Sequence, residues 1–262
     1  MMNVTSSTTD NLLKQRIANQ FSRAAVQYDQ HAPIQWQVAN DALSLFDVKS
    51  GMTVDLGCGT GRITRLLSKQ TESVIGIDIA EGMLRFAREQ SINGIQWVAG
   101  DAEQLPLLNE TVSGVFSSMV LQWCYSIENC LAEIYRVLKP GGKAVLAIMV
   151  QDSFWQLAQS WPLNGYSAVN RFMAHEHIVK AAQQCGFEVK AENRQYNSEH
   201  LNVRELLGSI KAVGANVVTQ KNHNAQLTRQ TLSQLSENYE LLRKQNGMLP
   251  LSYQISMVQL TK

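Results

Sequence analysis

Short apolar segments alternate with amphipathic segments between residues 52 and 150. The apolar segments fall at 52–56, 73–78, 95–98, 114–119 and 143–149. Between them, residues 62–70, 81–90 and 127–138 carry apolar side chains three and four positions apart, a spacing that puts these side chains on one face of a helix. Strands that alternate with helices form a mostly parallel sheet, so this part of the chain is predicted to be a doubly wound α/β domain.

Other segments lie outside this alternation. Residues 175–185 are predicted to form a helix, and the alternating patterns at 187–196 and 252–260 predict two late strands. We therefore expect a single domain over residues 1–262, with a core of about 40–150, 175–196 and 250–262. The remaining helical or inserted segments are expected to form a helical lid, and they are about 11–30, 151–174 and 200–245.

Composition narrows the class of protein. Hydrophobic residues make up 45% of the chain and charged residues 17%, and 23 basic against 22 acidic side chains leave a net charge of +1. These values argue against disorder and against a nucleic-acid partner. The longest apolar run, 144–150, is shorter than the roughly 20 residues that cross a bilayer. With no secretory pattern in the first ten residues, a cytoplasmic protein without membrane contact is expected.

The cysteines predict neither a disulfide nor a metal site. They are scattered along the chain, without the paired spacing of a zinc site, at Cys58, Cys124, Cys130 and Cys185. Free cysteine is one of the most buried residue types, so each is interpreted as a small core residue. We therefore expect reduced thiols and no bound metal.

A glycine-rich turn follows the first predicted strand. The sequence from Val54 to Gly61 reads VDLGCGTG, so an acid, Asp55, stands just before three alternate glycines. A dinucleotide fingerprint would have its third glycine one position later, where this chain has Arg62. The carboxylate of Asp55 would repel a phosphate, but it can pair with the ammonium group of an amino-acid ligand.

Acids also follow the second and third strands. Asp78 can accept hydrogen bonds from a ribose diol, and Asp101, next to Ala102, can recognise the exocyclic amine of adenine. Each acid alone could be a helix cap or a loop residue. Together with Asp55, they indicate an adenosine that carries an amino acid, which is S-adenosylmethionine. The candidate cofactor-binding residues are Asp55, Gly57, Cys58, Gly59, Gly61, Asp78, Ile79, Met83, Asp101, Ala102 and Met119.

These motifs, followed by Leu138-Lys139-Pro140-Gly141-Gly142, resemble the class I S-adenosylmethionine-dependent methyltransferases over residues 40–150. The resemblance implies a Rossmann-like, seven-stranded, mostly parallel sheet with a final antiparallel hairpin. It also implies S-adenosylmethionine as the methyl donor and S-adenosylhomocysteine as the product. Membership of this class does not identify the methyl acceptor.

A narrower resemblance lies outside the cofactor motifs. Residues 21–32, 121–124, 170–172 and 210–215 resemble the malonyl-acyl carrier protein O-methyltransferase family of biotin synthesis. This implies methylation of the free carboxylate of malonyl-acyl carrier protein, to give a methyl ester from which elongation builds pimeloyl chains. An ester is less costly to bury in an apolar acyl tunnel than a carboxylate.

A carboxylate acceptor is already ionised at neutral pH, so catalysis needs positioning more than a general base. Under the resemblance, Arg171 is the candidate to hold the malonyl carboxylate, because a guanidinium grips a carboxylate bidentately. Tyr28 would close over the sulfonium, and Gln122 and Trp123 would face the methyl group. A surface role for Arg171 and simple packing for Tyr28 and Trp123 are the alternatives.

The carrier protein is acidic, so basic side chains are expected to dock it. The candidates are Lys211, Arg204, Lys190 and Arg194, each of which could instead lie on a solvated face. Two other functions stay open from sequence. One is a methyltransferase that acts on another small carboxylic acid or on a quinone-like carbon, and the other is a non-catalytic regulator that binds S-adenosylmethionine.

Overall fold

The computed structural model describes residues 4–91, 94–162, 170–214 and 228–262, with side chains from residue 11 onward. The strands are β1 (Met52–Leu56), β2 (Ser73–Asp78), β3 (Gln96–Ala99), β4 (Val112–Ser118), β5 (Leu138–Met149), β6 (Glu188–His200) and β7 (Leu249–Thr261). The helices are α1 (Val4–His31), α2 (Pro33–Ser44), α3 (Arg62–Leu67), α4 (Glu81–Glu89), α5 (Ile127–Val137), α6 (Trp155–Ser160), α7 (His175–Gln184), α8 (Val203–Ala212) and α9 (Arg229–Glu240). A short 3₁₀ helix spans Leu121–Trp123.

The strands form one seven-stranded sheet in the order β3-β2-β1-β4-β5-β7-β6. The first five strands run parallel to one another, and β7 runs antiparallel to both β5 and β6. The predicted doubly wound, mostly parallel architecture is therefore confirmed, including the antiparallel pair at the end. From β1, the strands that follow are added first on one side, as β2 and β3, and then on the other side, starting with β4. The crevice between β1 and β4, where this order switches, is where ligands bind in open α/β sheets.

The core lies on both faces of the sheet, and β5 shows how. Val145, Ala147 and Met149 contribute to the apolar cluster on one face. Their neighbours Ala144, Leu146 and Ile148 belong to the cluster on the other face. Successive strand side chains point to opposite faces, so an uninterrupted apolar run suits a strand that is covered by helices on both sides.

Two helices come before the first strand. The predicted helix at 11–30 is present but longer, since α1 begins at Val4. Helix α2, which the sequence interpretation missed, has Pro33 at its start, where a missing N–H costs no hydrogen bond. Its buried side chains Ile34, Val38 and Ala42 recur every four residues and pack on the sheet.

Some predicted boundaries were wrong. Helix α5 ends at Val137, one residue before the predicted end, and β5 begins at Leu138, five residues before the strand predicted at 143–149. The backbone explains this, because Gly141 donates its N–H to the carbonyl oxygen of Lys262, and Gly142 accepts from the N–H of Lys262. The hydrogen bonds between β5 and the segment after β7 thus begin at Gly141, earlier than the two glycines would suggest. The helix predicted at 62–70 ends at Leu67.

The predicted lid segments are only partly described. Helices α6, α8 and α9 fall within them, whereas residues 163–169 and 215–227 lie outside the described residues. The division into core and lid stays a prediction. Within the described part of the chain, no helix is both long enough and apolar enough to cross a membrane.

Candidate active site

A cleft with a free volume of about 110 Å³ lies at the carboxyl ends of β1, β2 and β4, and α1 packs over it. We call it the main cavity. The described residues that line it are Lys14, Ile17, Phe21, Tyr28, Leu56, Gly57, Gly59, Ile77, Asp78, Ile79, Met83, Gly100, Asp101, Ala102, Ser118, Met119, Val120, Trp123 and Cys124.

A second space with a free volume of about 80 Å³ adjoins the first, and we call it the side cavity. The two cavities share Tyr28, Gly57, Gly59 and Ser118. The other described residues that line the side cavity are Asp29, Ala32, Gln35, Trp36, Ala39, Asp55, Cys58, Thr60, Arg62, Ile63 and Phe116. A ligand at the shared residues would therefore extend into both spaces.

The three glycines of the turn have different surroundings. All three have positive φ, a backbone region that favours glycine. A Cβ at Gly57 would lie 2.2 Å from Val120, and a Cβ at Gly61 would lie 2.3 Å from the ring of Trp97. A Cβ at Gly59 would meet no atom within 4 Å. Gly57 and Gly61 are thus required by packing, whereas Gly59 leaves open the space that both cavities share.

Asp78, at the end of β2, is held by the backbone of the two flanking turns. Its Oδ2 accepts from the N–H of Gly59 at 2.8 Å, and its Oδ1 accepts from the N–H of Ala80 at 2.7 Å. Burial raises the pKa of Asp78 above its usual value, although these N–H donors oppose the shift. The carboxylate is fixed at the wall of the main cavity, with lone pairs left for a diol.

Asp55 is 3% exposed and lies in the side cavity. Thr64 donates its hydroxyl to Asp55 Oδ2 at 2.5 Å. Burial raises the pKa of Asp55 to about 7; the Thr64 hydrogen bond opposes this shift, and the charge of Asp78 adds to it. A buried carboxylate of this kind is stabilised by a cationic ligand, since an opposite charge favours its ionised form.

Asp101 is already engaged by a residue of α1. Lys14 Nζ lies 2.6 Å from Asp101 Oδ2 and 2.5 Å from Glu103 Oε2. Burial alone would lower the pKa of Lys14, but hydrogen bonds and the charges of these two carboxylates raise it above its usual value. Asp101 Oδ1 accepts from the N–H of Glu103. The proposed adenine contact must therefore share Asp101 with Lys14.

Aromatic side chains form one wall of the main cavity. The rings of Phe21 and Trp123 meet edge to face at 5.7 Å, and Phe21 lies 6.5 Å from Tyr28 between ring centroids. Burial raises the pKa of Tyr28, and the charges of Asp78 and Asp29 add to the shift, so its hydroxyl stays neutral. Met119 adopts φ of 62°, a rare value for a non-glycine residue and one found at functional sites.

Most predicted site residues come together here. Those in the main cavity are Tyr28, Trp123, Gly57, Gly59, Asp78, Ile79, Met83, Asp101, Ala102 and Met119, and Asp55 and Cys58 line the side cavity. Three predicted residues line neither cavity, namely Gly61, Gln122 and Arg171.

Gln122 and Arg171 are placed differently from expectation. Gln122 donates from Nε2 to the carbonyl oxygen of Met119 at 2.7 Å, and its Oε1 is buried without a hydrogen-bond partner among the described residues. It therefore supports the turn that positions Met119. Arg171 is exposed, next to Phe172, whose ring contacts Phe154 at 6.2 Å.

Sequence reasoning missed several lining residues. Lys14, Ile17 and Phe21 lie on the inner face of α1, and their spacing of three and four is a helix-face signal that could have linked them to Tyr28. Ser118, at the end of β4, lines both cavities, and its Oγ is buried without a partner among the described residues. A buried hydroxyl without a partner is costly, which suits a ligand contact.

S-adenosylmethionine fits the site in its chemistry. The space at Gly59 admits a ligand, Asp78 suits a ribose, and Asp55 suits an ammonium group. Among the described residues, no group of three or more histidine, cysteine or acidic side chains is arranged to hold a metal ion.

Comparison with known proteins agrees with this assignment. A family model described as a methyltransferase domain matches residues 54–146. The crystal structure of the YcgJ protein from Bacillus subtilis shares the fold, with a TM-score of 0.61 and 14% identity over 86% of this chain and 97% of that one. The fold, the cavity and the domain match define an S-adenosylmethionine-dependent methyltransferase.

Two relatives narrow the class. The malonyl-[acyl-carrier protein] O-methyltransferase of Pectobacterium atrosepticum is 34% identical over 249 residues, which cover 94% of this chain and 96% of that protein. The biotin biosynthesis bifunctional protein of Cellvibrio japonicus is 36% identical over 256 residues, 95% of this chain. The match covers only 50% of that bifunctional protein. The chain belongs to the malonyl-[acyl-carrier protein] O-methyltransferase family.

Proposed function

We propose that this protein transfers the methyl group of S-adenosylmethionine to the free carboxylate of malonyl-acyl carrier protein. The product would be the malonyl-acyl carrier protein methyl ester, which serves the early, pimeloyl stage of biotin synthesis. S-adenosylhomocysteine would be the second product. The relatives' names support the acceptor.

The observation that carries the proposal is the chemistry of the cavity walls. Among the described residues, neither a histidine nor a glutamate lines either cavity, and the wall beside Tyr28 is built from Phe21, Trp123 and Met119. The four aspartates in the linings, Asp29, Asp55, Asp78 and Asp101, already accept hydrogen bonds from the protein. A carbon or alcohol acceptor calls for a general base near the methyl group. A carboxylate does not, because it is ionised at neutral pH.

The chain's residues then act by positioning and by excluding water. S-adenosylmethionine supplies the methyl group as an electrophile on a sulfonium. An oxygen of the malonyl carboxylate forms a bond to the methyl carbon while the carbon–sulfur bond breaks and its electron pair stays on sulfur. No proton moves in this step. The neutral ring of Tyr28 and the apolar faces of Phe21 and Trp123 exclude water from the reacting atoms, which strengthens the remaining electrostatic contacts.

Arg171 is the proposed partner of the malonyl carboxylate. It lies outside the described cavity linings and is exposed, so this role requires the side chain to turn towards the cavity when the acceptor binds. A guanidinium gives two parallel hydrogen bonds to a carboxylate and positions it for an in-line displacement.

The proposed docking cations do not share one element. Lys211 and Arg204 lie on α8, seven residues apart and hence on one side of the helix. Lys190 and Arg194 lie on β6, the edge strand, and Arg194 is paired with Glu192. Helix α8 ends beside α1, since a Cβ at Gly214 would lie 3.3 Å from Phe21. These contacts favour α8 as the docking surface for the carrier protein.

The test is transfer of labelled methyl to purified malonyl-acyl carrier protein, with acetyl-acyl carrier protein and free malonate as controls. We expect base-labile label on the malonyl carrier alone. Arg171→Ala should lower acceptor turnover by about tenfold or more, the value of a lost charged hydrogen-bond pair, and leave cofactor affinity unchanged. Binding of S-adenosylmethionine without transfer to any malonyl acceptor would contradict the proposal and favour another acceptor or a regulator.

A further inference from the structure

The side cavity contains both signs of charge. Asp55 lies in it, and among the described residues that line it Arg62 is the single cation. Arg62 is the first residue of α3, directly after the glycine turn. Its guanidinium carbon lies 3.5 Å from the centroid of the Trp36 ring, a stacking contact that fixes the plane of the side chain.

Arg62 has no anionic partner in the described part of the chain. No carboxylate there lies within 4.0 Å of its nitrogens, although the residue is half-buried. The acids that line the side cavity accept other hydrogen bonds: Thr60 donates to Asp29 at 2.8 Å, and Thr64 donates to Asp55. A partly desolvated cation without a partner is costly, which suits a site that a ligand anion completes.

The neighbouring cations share a surface groove beyond Trp36 with Arg62. Arg65 donates to the carbonyl oxygen of Thr60 at 3.0 Å, and Lys69 lies further along the same groove. Neither residue lines the side cavity. Burial lowers the pKa of Arg65, the charge of Arg62 contributes to the shift, and the charge of Asp29 opposes it. Arg62 is therefore the cation of this group that faces the cofactor space.

We propose that Arg62 binds the carboxylate of the amino-acid end of S-adenosylmethionine, while Asp55 binds the ammonium group of the same end. This inference rests on the cofactor part of the proposed function. An amino acid carries one positive and one negative group, and a buried site must neutralise both. The side cavity holds one cation, Arg62, and two carboxylates, of which Asp29 accepts from Thr60, and it opens to the main cavity through Gly57, Gly59 and Ser118.

The proposal makes Arg62 a determinant of cofactor specificity. A ligand that keeps the adenosine and the ammonium but lacks the carboxylate should lose the Arg62 contact and keep all others. Decarboxylated S-adenosylmethionine is such a ligand. The preference for S-adenosylmethionine over the decarboxylated form therefore measures the Arg62 contact directly.

The experiment is a calorimetric titration of both ligands into the full chain and its variants. For Arg62→Gln, we expect the affinity for S-adenosylmethionine to fall about tenfold or more, the value of a charged hydrogen bond, while the affinity for the decarboxylated form stays within about twofold. Arg62→Lys keeps the positive charge but loses the planar guanidinium that can bind a carboxylate through two N–H groups. Its preference for S-adenosylmethionine over the decarboxylated form should therefore be intermediate. Lys69→Gln removes one positive charge from the groove and should change neither affinity.

The outcomes separate this inference from the proposed function. If Arg62→Gln weakens both ligands equally, or if its preference between them matches that of the wild-type chain, the Arg62 assignment is overturned and the residue is structural. If the wild-type chain binds neither ligand, the cofactor assignment itself fails. A melting temperature for each variant identifies any loss of folding before the affinities are compared.

Discussion

At the scale of single residues, the site depends on carboxylates that differ in their partners. Asp78 accepts from two backbone N–H groups, and Asp101 is shared with Lys14. Among the described residues, Asp55 accepts only from the hydroxyl of Thr64. Asp55 also has the highest burial of the three. It is therefore the acid whose charge depends most on the ligand.

The pKa of about 7 for Asp55 predicts opposite pH dependences for binding and for stability. The ammonium of the ligand needs the ionised carboxylate, so the affinity for S-adenosylmethionine should rise about tenfold between pH 6 and pH 8. In the ligand-free protein the raised pKa favours the protonated form, against about 3.9 in the unfolded chain. The folded state then binds more protons between about pH 4 and pH 7, and its stability should fall as the pH rises through that window.

Titration calorimetry and thermal melts at several pH values measure the two effects. Asp55→Asn should bind S-adenosylmethionine weakly at every pH and should flatten the pH dependence of the ligand-free melting temperature. Glu89→Gln, at the exposed end of α4, is the matched control and should leave both profiles unchanged. An affinity in the wild-type chain that does not vary between pH 6 and pH 8 would remove Asp55 from the ammonium site.

The residues that sequence reasoning found and those it missed differ for a physical reason. Asp55 and Asp78 could be predicted because the ends of parallel strands meet at one edge of the sheet. Lys14 and Arg62 reach the same cavities from helices, and which helix face turns inward depends on packing that the linear pattern does not show. The sequence does not distinguish Gly59 from Gly61, since both are glycines of the same turn. Their surroundings in the fold show that Gly59 borders open space, whereas Gly61 packs against Trp97.

At the scale of elements, α1 closes the main cavity and is tied down at three places along its length. Lys14 contacts Asp101 and Glu103, Ser22 Oγ accepts from the N–H of Gly82, and Asp29 accepts from Thr60. The ties join α1 to the segments that follow β3, β2 and β1, respectively. Movement of α1 would therefore uncover the cavity and break these contacts together.

Lys14→Met tests whether the first tie controls cofactor exchange. The substitution keeps a long apolar side chain but leaves Asp101 and Glu103 without their cation. We expect faster amide exchange in the first half of α1 and a rate of S-adenosylmethionine dissociation about tenfold higher, the effect of losing about 1.4 kcal/mol. Stopped-flow displacement and hydrogen exchange measure these changes. Arg16→Met, two residues away on the exposed face, is the control, and equal effects of both variants would rule out a specific role for Lys14.

The elements themselves could largely be predicted, with failures at particular places. The strands at 52–56 and 73–78 match β1 and β2 because both ends carry clear polar or glycine signals. The strand predicted at 143–149 begins earlier, at Leu138, because the backbone of Gly141 and Gly142 is hydrogen-bonded to Lys262. Such a contact between distant segments leaves no local signal.

At the scale of the whole molecule, the main cavity and the proposed docking helix lie at different places along one sheet. The proposed cofactor groups gather at the ends of β1, β2 and β4, while β6 lies at the edge, three strands from β4. Helix α8 follows β6 and returns to the cavity, where its end meets α1 beside Phe21. A carrier protein on α8 would be placed next to the aromatic wall, so its prosthetic arm would have a short path to the reacting atoms.

This geometry predicts that α8 recognises the carrier protein and not the malonyl group. Asn202 accepts from the N–H of Glu205 at 2.9 Å, and Glu205 accepts from the N–H of Leu201 at 3.0 Å, so the start of the helix is fixed and its cations keep their spacing. The double variant Arg204→Glu, Lys211→Glu should lower kcat/KM for malonyl-acyl carrier protein by about tenfold or more at low salt. Transfer to a small malonyl thioester should stay unchanged.

The salt dependence of the same assay separates docking from damage to the site. Exposed charge contacts weaken as ionic strength rises, so the wild-type rate with the carrier should fall towards that of the double variant between about 0.01 and 0.15 M salt. Lys190→Glu, on the edge strand, serves as a charge-reversal control away from α8 and should behave as the wild type. If the double variant lost activity towards the small thioester as well, α8 would be supporting the cavity; if Lys190→Glu alone impaired the carrier, docking would belong to β6.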